Sequence, residues 1–241
     1  MNFNEANARK CLSYLNDKPK KILIAGAGRM ANDVKAFDVL LNGGSTLIGI
    51  DISDSVGEGY HSSSTIYLQA DITDLPFARN QFDLTYSFAT LEHVHNLESA
   101  WNNLLRVTKP GGAVYTVASP LWCHPYGHHK KNIFNGHPWV HLLMPSLDEM
   151  LEYCHVNGIE SPDDTDLSHH ISYMLNPSYF NMLRPSAYES AANSLSPMAE
   201  IKSWFSCVDV NKFRPHPALL DRGYTENELI SSTHFLLAVK K

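Results

Sequence analysis

The residues best suited to hold a ligand in this sequence are two glycines and two aspartates at the ends of apolar segments. Gly26 and Gly28 end the run "KKILIAGAG", and a glycine turn of this kind brings backbone N–H groups close to a bound molecule. Asp51 and Asp71 each follow a later apolar segment. Carboxylates at the ends of strands are well placed to accept hydrogen bonds from a ligand. The set therefore indicates a ligand site, and whether the turn holds NAD(P), another adenosine cofactor or nothing is a separate question.

Histidines are the second chemical feature of the chain. It has thirteen, and five of them lie in the aromatic stretch "PLWCHPYGHHKKNIFNGHPWVHLLMP". Histidine titrates near neutral pH and is the commonest general base. We expect one of these side chains to take a proton from a hydroxyl group, with His128 or His129 first and His124 next. A polar loop with ordinary surface histidines is the open alternative.

A metal site would be another use of the same histidines. The pairs His124/His128 and His137/His141 have i, i+4 spacing, which on a helix places two ligands on one face. Pro125 interrupts a helix over the first pair. Because no cysteine or carboxylate completes a metal-binding motif with them, we predict no metal.

Alternating strands and helices must position these residues. Apolar runs predict strands, helical spacing and capping signals predict helices, and the turn-forming "KPGG" separates a helix from a strand. The predicted strands are 21–25, 46–50, 65–69, 82–88, 113–118, 201–210 and 234–240, and the predicted helices are 29–41, 96–108 and 146–158.

This order predicts an α/β fold, a Rossmann-like doubly wound sheet of seven mostly parallel strands with helices on both faces. A helical insertion, Pro162–Pro197, precedes the last strands, and its His169 and His170 could help to cover a substrate. The chain is then a single domain, with an N-terminal helical segment (1–19), a cofactor-binding core (20–120), a substrate rim with the insertion (121–200) and C-terminal strands (201–241). Ligands of such sheets bind at the carboxyl ends of the strands.

Composition excludes several classes of partner. The net charge is −6 without a basic run, so we expect no nucleic acid partner. No apolar stretch is long enough to cross a bilayer and no signal peptide is recognisable, so we expect no membrane partner. Four cysteines at scattered positions are typical of reduced thiols in a cytoplasmic protein. The sequence leaves undecided whether the protein forms a homodimer.

The glycine turn by itself leaves the cofactor undecided. The segment from Gly26 to Ala31 matches the dinucleotide fingerprint G-x-G-x-x-G/A, and Asp51 follows at the spacing of the acid that binds ribose hydroxyls. An NAD(P)-dependent oxidoreductase is therefore one interpretation. Any adenosine-binding sheet of this kind uses a similar turn and acid.

Four further motifs favour a different cofactor. An aspartate at 71 is followed by "LPF" at 75–77, "FD" occurs at 82–83, "LEHV" at 91–94 and "KPGG" at 109–112. In this order and spacing, the segment from about 20 to 120 resembles the class I S-adenosylmethionine-dependent methyltransferases. It is most similar to the small-molecule, methyltransferase type 11-like branch that includes the ubiquinone-type enzymes.

The resemblance implies roles for the residues that match the family's motifs. Gly26, Ala27 and Gly28 would approach the methionine and ribose parts of S-adenosyl-L-methionine. Asp51 would accept from both ribose hydroxyls, and Ile52 would lie against the adenine.

The remaining implied contacts come from the third and fourth strands. Asp71 would accept from the adenine amino group, with Ile72 beside it. Ser87 would face the methionine end of the cofactor, with Phe88 and His93 nearby. The family usually has an acid where this chain has Ile24, so the methionine amino group needs another partner.

The acceptor is inferred by elimination. The "[DN]-P-P-[YF]" signature of methyltransferases that act on nucleic-acid amino groups is missing after the fourth strand. A rim of histidine, tryptophan, tyrosine and asparagine suits a polar small-molecule acceptor. We therefore predict O-methylation of such a molecule or of a saccharide, with a histidine of the protein as the general base. A quinone-type C-methyltransferase, the NAD(P)-dependent oxidoreductase and a non-catalytic partner subunit are the alternatives.

Overall fold

The computed structural model describes residues 3–15 and 17–241 and contains a central sheet of seven strands. The strands are β1 Lys21–Ala25, β2 Thr46–Asp51, β3 Thr65–Gln69, β4 Phe82–Phe88, β5 Thr108–Ala118, β6 Ala199–Cys207 and β7 Ser231–Lys240. The helices are α1 Phe3–Leu12, α2 Asn32–Leu41, α3 Leu97–Val107, α4 Val140–Leu143, α5 Leu147–Asn157, α6 Leu167–Met174, α7 Pro185–Asn193, α8 Pro217–Asp221 and α9 Glu226–Ile230, with a 3-10 turn at Leu91–His93.

The strands are ordered β3-β2-β1-β4-β5-β7-β6 across the sheet. β1 to β5 are parallel to one another, and β7 runs antiparallel to both β5 and β6. The predicted fold, a mostly parallel seven-stranded α/β sheet, is confirmed. From β1 the strand order runs to β2 and β3 on one side of the sheet, and from β4 it runs to β5 on the other side. The carboxyl ends of β1 and β4 therefore form the crevice where ligands of such sheets bind.

β1 is covered on both faces of the sheet, which explains its continuous apolar run. Ile22 and Ile24 pack with residues of α1 and α2 on one face. Leu23 and Ala25 pack with α3 and α7 on the other. Successive side chains of a strand point to opposite faces, so a strand covered twice must be apolar at every position.

Several predicted boundaries were wrong. The last two strands were predicted at 201–210 and 234–240 and lie at 199–207 and 231–240, and the starts of α2 and β5 also differ. The helix predicted from residue 29 begins at Asn32, because Ala31 adopts a left-handed conformation with φ 49°. The predicted turn at "KPGG" is a bulge inside β5, which begins at Thr108 rather than at 113. Glycine fits there, since a Cβ on Gly112 would lie 2.9 Å from the carbonyl oxygen of Asp83. Helical spacing gives no information on either detail.

The predicted capping signals of α5 are confirmed, and α3 has a cap that was not predicted. The Asn96 side chain accepts from the N–H of Ser99 at the start of α3. Ser146 and Glu149 form a capping box at the start of α5, and Gly158 ends it with φ 62°. The insertion contains α6 and α7, so its predicted helical character is confirmed.

No helix in the described part of the chain is long and apolar enough to cross a bilayer. Cys11, Cys123 and Cys154 are buried free thiols, whereas Cys207 is exposed. The division of the chain into a single domain with four segments stays a prediction.

Candidate active site

A glycine turn joins β1 to α2 at the carboxyl edge of the sheet. The N–H groups of Gly26 and Ala27 both donate to the carbonyl of Ile50, at 2.8 and 2.9 Å. Gly26 has φ 76°, and a Cβ there would lie 1.8 Å from the Thr90 hydroxyl oxygen. The turn therefore requires glycine at 26 on both conformational and steric grounds.

Asp51, at the end of β2, is tied to this turn. One of its carboxylate oxygens accepts from the N–H of Gly28 and the other from the N–H of Ser53, each at 3.0 Å. A carboxylate has about four acceptor positions, so two remain for a ligand. A Cβ on Gly28 would meet no atom within 4 Å, which shows open space beside the turn.

Asp71 follows β3 and is exposed. Its Oδ1 accepts from the N–H of Thr73 at 2.7 Å and from the Thr73 hydroxyl at 2.8 Å. These local bonds fix the carboxylate at the strand end. No protein bond to Oδ2 is found among the described residues, so this oxygen can accept from a ligand.

A cleft of about 390 Å³ brings most of the predicted cofactor residues together. Its walls are Gly26, 50–52, 70–73, Thr90, 93–96 and Ser178. Ile52 is 75% exposed beside the cleft, whereas Ile72 is buried. A larger surface cavity of about 580 Å³ lies near Asp83 and Lys109, at the opposite edge of the sheet. We take the smaller cleft as the site because parallel strands bind ligands at their carboxyl ends.

Four predicted cofactor residues do not line this cleft. Ala27 is buried, and Gly28, which follows Ala27 in the turn, is not among the residues that line the cleft. Ser87 is completely buried on β4, and its hydroxyl has no hydrogen-bond partner among the described residues. Phe88 is half-buried and packs against the core on the α1–α2 side of the sheet. Their roles stay predictions.

The histidine loop, residues 119–139, follows β5 and contains the three predicted bases, which differ in their burial and contacts. His128 is completely buried, with its ring against those of Phe134 and His141 at 5.4 and 5.0 Å. Its Nδ1 accepts from the N–H of Lys130, and burial lowers its pKa well below the usual value. A base must reach its substrate, so this placement disfavours His128.

His124 also makes a local bond, since its Nδ1 accepts from the N–H of Tyr126 at 2.9 Å. Burial lowers its pKa to about 4.

His129 is the loop histidine that reaches toward the cleft. Its ring lies 5.2 Å from the ring of His93, which lines the cleft, and 5.0 Å from that of Phe180. Its Nε2 lies 3.3 Å from the carbonyl oxygen of Pro120, and burial lowers its pKa to about 4. The backbone at His129 is left-handed, with φ 60°, a conformation that non-glycine residues adopt at a cost.

Comparison with known families identifies the segment that forms the cleft. Residues 25–116 match a family model described as "Methyltransferase domain". This segment, which contains most of the residues that line the cleft, is thus similar to a methyltransferase domain. The match runs from the end of β1 into β5, and therefore contains Gly26, Asp51, Asp71 and His93 but not the histidine loop.

Curated relatives match the same domain over short segments. A malonyl-[acyl-carrier protein] O-methyltransferase from Buchnera aphidicola subsp. Baizongia pistaciae is 37% identical over 73 residues, which is 30% of each chain. An uncharacterized methyltransferase from Mycobacterium sp. (strain KMS) is 36% identical over 67 residues, 28% of this chain and 26% of that one. The chain thus spans less than a third of the length of these relatives.

Solved structures agree with the fold of the methyltransferase domain over almost the whole chain. The plantazolicin methyltransferase BpumL, in complex with S-adenosylhomocysteine, has a TM-score of 0.58 at 13% identity, covering 99% of this chain and 82% of that one. Phosphoethanolamine N-methyltransferase 2 of Haemonchus contortus, in complex with S-adenosyl-L-methionine, also has 0.58 at 11% identity, covering 98% and 52%. At such identities the likeness establishes the fold alone.

The methyltransferase domain contains one residue of the site that sequence reasoning missed. Glu92 lies beside His93 in "LEHV" and is only 2% exposed. Neither of its carboxylate oxygens has a hydrogen-bond partner among the described residues. Burial raises its pKa to about 8, although nearby backbone N–H groups of Glu92 and Ser119 partly oppose the shift. The sequence signal was the motif itself, which we used only to recognise the family.

Proposed function

We propose that this chain is an S-adenosylmethionine-dependent methyltransferase that methylates an oxygen of a polar small molecule or a saccharide. The observation that carries the proposal is the cleft at the carboxyl edge of the sheet, where the glycine turn, Asp51 and Asp71 converge within the family match. One matched relative is named an O-methyltransferase, which supports oxygen as the acceptor atom.

The residues of the cleft fit the cofactor chemically. Asp51 has acceptor positions left for the two ribose hydroxyls after its bonds to the turn. Ile52 offers an exposed apolar surface for the adenine, and Asp71 has a carboxylate oxygen for the adenine amino group. When bound, the cofactor supplies a methyl group activated by a sulfonium.

The protein must then align the acceptor and remove its proton. We propose that proton removal depends on His129, because it contacts a cleft residue whereas His128 is enclosed by aromatic rings. In the simplest form, His129 is the general base. An acceptor held between His129 and the cleft would be a small molecule, and neither a nucleic acid nor a membrane surface is part of the proposal.

Calorimetric titration of the purified chain tests the cofactor. We expect S-adenosylhomocysteine to bind with micromolar affinity, about −8 kcal/mol, and NAD⁺ and NADP⁺ not to bind. Asp51→Asn should weaken binding. Nicotinamide binding without binding of the sulfur ligand would replace this proposal with an oxidoreductase.

An acceptor screen of sugars and phenols, with methyl transfer as readout, tests the rest. On any accepted substrate, we expect His129→Ala to lower turnover by about 10²–10⁴-fold, the usual contribution of a general base. The exposed His155→Ala is the matched control and should retain full turnover. Equal turnover in His129→Ala and in this control would exclude a role for His129.

A further inference from the structure

Three side chains from two segments meet at the wall of the cleft. Glu92, His93 and His129 each place one possible ligand atom within 4.8 Å of those of the other two. His93 lines the cleft, and Glu92 precedes it in the 3-10 turn after β4. His129 comes from the histidine loop, outside the segment that matches the family.

The hydrogen bonds of the two histidines fix which nitrogen carries the proton. His93 Nδ1 lies 2.6 Å from the carbonyl oxygen of Tyr179, and His129 Nε2 lies 3.3 Å from that of Pro120. A carbonyl oxygen can only accept, so these nitrogens donate. The other nitrogens, Nε2 of His93 and Nδ1 of His129, are left with lone pairs. Metal-binding histidines typically donate their second N–H to a carbonyl in this way.

Glu92 supplies an independent observation. Its carboxyl group is buried, and although the backbone N–H groups of Glu92 and Ser119 lie near it, neither forms a hydrogen bond of good geometry with its oxygens in the part of the chain that the structure describes. Proteins normally pair a buried carboxylate or use it to bind a metal, so this group is suited to be a metal ligand. Among the described residues no cation of Lys or Arg forms an ion pair with it.

We propose that Glu92, His93 and His129 bind one divalent transition-metal ion, with Zn²⁺ as the type, at the acceptor end of the cleft. Two imidazoles and one carboxylate suit this class of ion, whereas Mg²⁺ prefers oxygen ligands throughout. Ligand atoms about 2.1 Å from one ion lie about 3.4 Å apart, so small side-chain rotations must accompany binding. The ion keeps at least one position open. This proposal replaces the sequence-based prediction of no metal.

With the ion bound, His129 would have a different role in methyl transfer. This role of the ion rests on the proposed function. The acceptor hydroxyl would occupy the open position, and the ion would lower its pKa. The O–H proton leaves to solvent, and the oxygen lone pair forms the new O–CH₃ bond. The C–S bond breaks, and its electron pair goes to sulfur. His129 then acts as a metal ligand rather than as the base.

Metal binding can be tested without an acceptor. The full chain, purified without a histidine tag and treated with a chelator, is titrated with Zn²⁺ and separately with Mg²⁺. Co²⁺ serves as a spectroscopic probe, because its visible absorption reports on nitrogen and oxygen ligands. We expect one Zn²⁺ per chain and no calorimetric signal with Mg²⁺.

Glu92→Gln and His129→Ala are the test variants, and His155→Ala controls for the loss of a histidine outside the cluster. Because loss of an outer-shell partner costs about 10–100-fold in metal affinity, loss of a ligand should cost more than about 100-fold. Circular dichroism and S-adenosylhomocysteine binding check that each variant is folded.

The outcomes separate this proposal from the proposed function. Zn²⁺ binding that Glu92→Gln and His129→Ala abolish, with S-adenosylhomocysteine binding retained, supports the metal site. If the wild type binds no Zn²⁺ or Co²⁺, or the variants bind as well as the wild type, the metal site is wrong. In that case S-adenosylhomocysteine binding and the general-base form of the His129 proposal are unaffected.

Discussion

Acid should destabilise this protein through buried neutral histidines, and His234 on β7 allows a quantitative test. The side chain is completely buried, with Nε2 at 2.8 Å from the Ser203 hydroxyl and the ring 4.9 Å from that of Phe205. Its Nδ1 has no partner among the described residues. Burial lowers its pKa from 6.5 to about 3.

The sign of the effect follows from proton binding. Below pH 6.5 the unfolded chain takes up a proton at His234, whereas the folded protein does not until about pH 3. Stability that is present above pH 6.5 is therefore lost as the pH falls. At pH 5 the loss from this one group is about 2 kcal/mol, because the unfolded state is favoured by 1.4 kcal/mol for each pH unit below 6.5.

His234→Gln removes the titration and can keep a hydrogen bond to Ser203. Urea unfolding followed by tryptophan fluorescence at pH 7.5 and pH 5.0 gives the free energy of unfolding. We expect its decrease between the two pH values to be about 2 kcal/mol smaller in the variant. The corresponding decrease in Tm should be about 4–8 °C smaller.

The comparison between pH values is what tests the reasoning. A constant cost of the substitution cancels, and the other buried histidines contribute equally to both proteins. His155→Gln, an exposed change in α5, should leave the pH dependence of the wild type unaltered. If His234→Gln shows that same pH dependence, the buried ring is not the source of the acid sensitivity and the linkage argument fails.

Two further predictions concern the turn and the adenine side of the cleft. Gly26→Ala should lower the free energy of unfolding by about 3 kcal/mol, since a left-handed alanine costs about 1–2 kcal/mol and the clash with Thr90 adds about 1–3 kcal/mol. Gly28→Ala, where the added Cβ meets open space, should cost only the conformational contribution. Equal losses of the two variants in denaturant unfolding would contradict the steric argument. Ile52→Ala should weaken S-adenosylhomocysteine binding about tenfold, or 1.4 kcal/mol, without changing stability. Ile66→Ala, which changes another exposed isoleucine, is the control. Equal affinities of the two variants would show that Ile52 does not contribute to the cofactor site.

The positions of β1 and β4 were predictable because burial on both faces leaves a local trace. β3 also has the predicted bounds, although its apolar residues Ile66 and Leu68 are exposed. The acids lie where they were predicted, since Asp51 ends β2 and Asp71 follows β3. The direction of β7 has no such trace, since an apolar strand looks the same in either orientation. The bulge at "KPGG" was missed for a similar reason: the residues indicate a turn, but only the register against β4 shows that the strand continues around it.

The acceptor side was less predictable, because residue type does not reveal burial. His128 and His129 are neighbours with the same chemistry, yet one is enclosed by aromatic rings and the other contacts His93. Glu92 shows the converse. It was visible in a quoted motif, but the absence of partners for its carboxylate depends on how β4, β5 and the histidine loop meet.

The position of β7 between β5 and β6 determines when the sheet can be completed during synthesis. β6 leaves the ribosome before β7, and its strand pairing in the described structure is with β7 alone. Until residues 231–240 emerge, the nascent chain presents β5 as an open edge and β6 as an unpaired strand, and both can pair with other chains. At this stage of synthesis the backbone groups of these two strands are therefore the ones that pairing with another chain would occupy.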